Sequence, residues 1–120
     1  MKYMLLIHQG STPTPRTDAW DTLSEAEQNQ VFADYQAINQ DPAVTPGLQM
    51  EDPDTATTVR VEDGRTLTTD GPFVETKEAL GGYFFFEADD LDAAIGMAAR
   101  VPAARLGGAI EIRPITEGNW

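Results

Sequence analysis

Four aromatic residues in a row, Tyr83-Phe84-Phe85-Phe86, directly behind the glycine pair Gly81-Gly82, constrain this chain more than any other feature. The run reads as a strand over about residues 82–88, and successive strand side chains point to opposite faces. Aromatics therefore fall on both faces, and a strand left uncovered in that state is prone to aggregate. The fold must cover this strand twice. The opening strand, residues 2–8, makes the same demand. Tyr3, Leu5 and Ile7 point one way, Met4, Leu6 and His8 the other, and both sets are largely apolar.

The remaining patterns supply the cover. Ser24 and Glu27 form a capping box ahead of Val31, Tyr35 and Ile38 at helical spacing, with Leu23 placed as a hydrophobic staple. This predicts a helix over about residues 25–40, ending before Pro42. A short strand is expected around residues 48–51. Residues 57–62 alternate and are β-branched, Asp63-Gly64 is a hairpin signal, and residues 65–69 return as the partner strand. Asp89 or Asp90 caps a second helix with Leu91, Ala94, Ile95 and Ala98 on one stripe, ending near Val101-Pro102. Gly107-Gly108 turns the chain into a last strand, about residues 109–115.

This order fits one α+β domain over residues 1–120, an antiparallel sheet with both helices on one face, of ferredoxin-like type. The other face would then show Met4, Leu6 and one pair of the aromatics to water. A second copy packed sheet to sheet would cover it and close a dimeric α+β barrel, so a homodimer is expected.

Charge and composition exclude several functions. Twenty acidic against eight basic residues give a net charge of −12, and no run of Lys or Arg occurs. Nucleic-acid and anionic-membrane partners are therefore not expected. The absence of cysteine removes disulfides, thiolate nucleophiles and Cys-ligated metals, and fits a reducing cytoplasm, the expected localisation. The opening apolar run is too short to span a membrane. With one histidine and no trusted carboxylate spacing, no metal site is expected. No glycine-rich phosphate loop and no Gly-x-Ser-x-Gly elbow is present, and no cofactor is expected.

The densest chemical cluster is Thr69-Asp70-Gly71-Pro72-Phe73-Val74-Glu75-Thr76-Lys77-Glu78. Its Gly-Pro bend is either a solvated turn or the rim of a site. His8 is a candidate general acid or base, because imidazole titrates near neutral pH; its alternative is a solvated strand-end residue. Asp70 could orient that imidazole, or cap the turn that follows it. Lys77 and Arg113 are candidate anchors for a substrate anion, against the plainer reading of surface ion pairs. Tyr83 could wall a pocket or belong to core and interface. Trp20, in the long polar connection after the first strand, is a candidate lid.

The Asp70-Gly71-Pro72-Phe73 tetrad with Glu75-Thr76-Lys77-Glu78 and Gly81-Gly82-Tyr83 resembles the DGPF-type members of the YciI-like (YCII-related) family. So do the opening Met1-Lys2-Tyr3-Met4-Leu5-Leu6 and the closing Pro102-Ala103-Ala104-Arg105, Gly107-Gly108, Glu111 and Arg113-Pro114. The likeness covers almost the whole chain. It implies a dimeric α+β barrel, and a His–Asp pair in a cleft, with Asp70 in the Asp position. For activity it implies either cofactor-independent proton-transfer chemistry on a small molecule, such as isomerisation or elimination, or a non-catalytic accessory role beside an extracytoplasmic-function sigma factor.

Overall fold

A computed structural model describes residues 1–72 and 80–118. Phe73, Glu75, Lys77 and Glu78 of the acidic turn lie outside the described residues, as does Trp120. The elements run β1 (Lys2–His8), α1 (Glu25–Gln40), β2 (Val44–Gln49), β3 (Thr57–Glu62), β4 (Arg65–Asp70), β5 (Leu80–Glu87), α2 (Leu91–Ala99), α3 (Pro102–Arg105) and β6 (Ala109–Pro114).

Four strands form one antiparallel sheet in the order β2-β5-β1-β6. The two strands with apolar residues on both faces, β1 and β5, are thus the central pair. Leu5 sits opposite Phe84 on one side and Ile112 on the other. The face carrying Tyr3, Leu5, Ile7 and Phe84 packs against Ile38 of α1, Ala94, Met97 and Ala98 of α2, and Val101 and Ala103. Leu5, Ala94, Val101 and Ala103 are wholly buried. The molecule measures 19 Å along its shortest axis, room for one sheet and one helical layer.

The helix ends follow from their caps. The Ser24 hydroxyl accepts from the Glu27 amide at 3.1 Å, and the Asp90 carboxylate accepts from the Ala93 amide at 2.9 Å. Asp41 then closes α1 just ahead of Pro42. Two expectations change. The buried stripe of α2 is Ala94, Met97 and Ala98, while Leu91 and Ile95 face outward. Small side chains let that helix lie close to the sheet. Strand β2 starts earlier than its residue pattern suggests, at Val44, because its pairing with β5 begins at Val44 opposite Phe86.

Strands β3 and β4 form a separate two-stranded sheet. Asp63 and Gly64 take positive φ of 50° and 74°, the geometry a two-residue hairpin turn requires. Its base is closed by the Gly71 amide on the Ala56 carbonyl at 2.7 Å and by the Thr58 hydroxyl on the Gly71 carbonyl at 2.8 Å. Val59, Val61 and Leu67 on this hairpin are exposed.

Candidate functional site

A break in the pairing of β2 with β5 opens the main cleft. Pro46 pairs with Phe84 and Gln49 with Gly82, so Gly47 and Leu48 together oppose Tyr83 alone. The extra residue bends the strand away from its partner. Only glycine fits at position 47, where a Cβ would collide with the Tyr83 carbonyl oxygen. Gly81 is equally constrained, by the side chain of Gln9.

The cleft holds about 340 Å³ between α1, the bent edge of β2 and β5, and the connection after β1. Val31, Phe32, Tyr35 and Ile38 form its helical wall and Ile7 and Phe84 its floor. Burial pushes the Tyr35 phenol above its ordinary range, against the weaker pull of Arg105, so the hydroxyl stays neutral at physiological pH. A second chamber of about 260 Å³ adjoins it, and Gln9, Thr12, Thr14, Gln49 and Gly81 line both. An ion pair between Arg16 and Glu51 at 3.2 Å borders the second chamber.

Two buried atoms at the shared wall, Gln9 Oε1 and Thr12 Oγ1, have no hydrogen-bond partner among the described residues. An orphaned buried polar group costs about 1–3 kcal/mol, so natural proteins rarely leave one without a use. The residue pattern shows a long polar connection after β1 but does not single out Gln9 or Thr12. Asn39 and Gln49, which also line the cleft, carry no sequence signal at all.

The opposite face of the sheet carries a different group. His8 Nε2 lies 3.0 Å from Glu111 Oε1. The other carboxylate oxygen of Glu111 accepts from Arg113 Nε. Leu6 is the register partner of Glu111, which places that carboxylate diagonally beside His8. The hydrogen bonds from Arg113 and then from His8 hold the Glu111 carboxyl below its ordinary range. Met4, Leu6, Tyr83 and Phe85 are half-buried around this face, and the Lys2 ammonium sits over the Phe85 ring at 5.6 Å.

The candidate residues are therefore spread over several places. His8 meets a carboxylate, but that carboxylate is Glu111. Asp70 ends the hairpin strand β4, exposed and opposite Thr57, in the other sheet. Arg113 is tied to Glu111 on the face away from the cleft. Tyr83 stacks edge-on to Phe85 with ring centroids 6.0 Å apart and also borders the cleft at the bulge. Trp20 packs edge-on against Phe32 at 5.4 Å, its carbonyl accepting from the Gln28 amide at 2.9 Å. Lys77 lies outside the described residues.

Compared with known proteins, the chain matches the model of the YCII-related domain over residues 1–119. The chain belongs to the YCII-related family. Among curated proteins, it is 32% identical over 120 residues to "Uncharacterized protein R00369" of Rhizobium meliloti (strain 1021). That match covers 96% of this chain and 92% of the relative. No helix among the described residues is long and apolar enough to cross a membrane.

Proposed function

We propose that this YCII-related protein binds a small molecule in the cleft between α1 and the bent β2–β5 edge. One observation carries the reading: a concave, mostly apolar space of about 340 Å³ whose opening depends on a bulge that only Gly47 permits. Pockets of this size and lining are typical of small-ligand sites. The edge-on contact of Trp20 with the exposed ring of Phe32, a residue of the cleft wall, supports a role for Trp20 as a lid.

The test is a fragment screen by ligand-observed NMR on the wild-type protein and on Phe32→Asp. Phe32 is 55% exposed, so the substitution alters the wall without touching the core. Hits that weaken about tenfold in the variant, at an unchanged melting temperature, support the cleft. Hits that bind both proteins alike place the ligand elsewhere.

The 3.0 Å contact of His8 with Glu111 favours a second reading, cofactor-independent proton transfer on the open sheet face. In it two copies pack these faces together as a dimeric α+β barrel, enclosing His8. The strand order β2-β5-β1-β6, with helices packed on one face, supports this reading of a ferredoxin-like sheet. Glu111 orients the imidazole, Arg113 anchors an anionic substrate, and Asp70 acts from the end of β4. Replacing His8 by Gln should then abolish turnover and leave the dimer intact.

A further inference from the structure

The chemistry of the cleft walls narrows what the cleft can hold, granted that it is a ligand site. In a chain of net charge −12, none of the described residues lining it is Asp, Glu, Lys, Arg or His. A carboxylate or phosphate drawn between such walls would lose its hydration and find no counter-charge among the described lining residues. Phe32, Tyr35 and Phe84 instead offer ring faces and edges to an aromatic body.

Polarity is gathered at one end, where Gln9, Thr12, Thr14 and Gln49 stand between the cleft and the second chamber. The orphaned Gln9 Oε1 and Thr12 Oγ1 belong to this wall, and Thr12 is only 6% exposed. Both atoms are covered by surrounding protein, in side chains that line the cleft. Beyond them the charges of Arg16 and Glu51 are spent on each other.

We infer that the cleft takes a neutral, largely aromatic molecule bearing one hydroxyl or amide, which hydrogen-bonds Gln9 and Thr12 at the shared wall. A hydroxyl both donates and accepts, and so matches the acceptor of Gln9 and the hydroxyl of Thr12 together. A site arranged to bond such a group discriminates against the analogue that lacks it, because the wall atoms then stay unpaired. The inference rests on the cleft reading, and three probes separate the two.

The probes are 2-naphthol, 2-methylnaphthalene and 2-naphthoate, titrated calorimetrically into wild-type protein and into Thr12→Val and Gln9→Leu. Amide chemical shifts report where each probe sits. Wild type should bind 2-naphthol about tenfold more tightly than either other probe, with shifts centred on Gln9, Thr12 and Phe84. Each variant should bring 2-naphthol down to the affinity of 2-methylnaphthalene and leave the latter unchanged. Thr12→Val removes an orphaned atom at nearly constant shape, so it should melt no lower than wild type. Equal binding of the two neutral probes in wild type would overturn the polar anchor and keep the cleft as a ligand site. Tightest binding of 2-naphthoate would overturn the neutral-ligand inference in the same way. If no probe binds, the ligand-binding reading itself falls, and this inference with it.

Discussion

The two faces of the central sheet are made by the same strands and could hardly differ more. On one, Tyr3, Leu5 and Ile7 of β1 meet Phe84 beneath a layer of helices, and the described residues lining the space that layer leaves carry no charge. On the other, Met4, Leu6 and His8 share the surface with Phe85, Lys2, Glu111 and Arg113, half-open and rich in ionisable groups. One residue's step along β1 moves a side chain from the first environment to the second. The two proposed functions, binding an apolar molecule and moving a proton, thus belong to opposite sides of a single strand. His8 and Gln9, neighbours in sequence, serve different surfaces.

The largest test of this contrast is a pair of truncations. Leu5→Ala should cost about 3 kcal/mol in urea unfolding, because a fully buried leucine leaves a cavity. Leu6→Ala should cost about 1 kcal/mol in dilute protein. If a second copy covers the open face, the Leu6 penalty should grow with protein concentration while the Leu5 penalty stays fixed. A Leu6 penalty as large as that of Leu5 at every concentration would erase the distinction between the faces.

Next in size is Gly47→Ala, which drives a Cβ into the Tyr83 carbonyl. It should destabilise by about 2 kcal/mol and shift amide resonances around the cleft while sparing those of His8 and Glu111. Resonance changes that reach both faces equally would mean that the bulge supports the whole sheet rather than the cleft alone.

The smallest effect concerns Glu111. Its folded carboxyl titrates below its unfolded value, so its contribution is present above the ordinary carboxylate range and is lost as pH falls through the folded value. Glu111→Gln should therefore be slightly less stable than wild type at pH 7, with the gap closing as pH falls below the ordinary carboxylate range and through the lowered folded value. Glu111 and Arg113 are more than a third exposed, which keeps the difference small. A gap that persists unchanged at acid pH would show that packing, not charge, is what the side chain supplies.

Local chemistry made much of the fold legible. Ser24 with Glu27 marks the start of α1, Asp41-Pro42 its end, and Asp63-Gly64 the hairpin, because each signal acts within a few residues. The alternation of β1 and β5 marks them as strands needing two covers. The stripe of α2 was misread because Leu91 and Ile95 satisfy the same spacing as its small buried residues, and only packing decides between them. The candidate site was far less legible. Pairing His8 with Glu111 depends on the register of two strands about a hundred residues apart. The cleft depends on a bulge at Pro46-Gly47 that no local pattern marks as an opening.

That bulge has a consequence beyond the cleft. Strand β2 is an outer strand of the sheet, and a straight outer strand would offer its unused amides and carbonyls to any passing chain. Here Pro46 withholds a donor, and the displaced Gly47-Leu48 spoils the spacing an incoming strand would need. At the far side β6 stops at Pro114. A sheet with two blunted margins cannot lengthen sideways into a ribbon, which leaves this aromatic-rich molecule free to keep sticky rings at its centre.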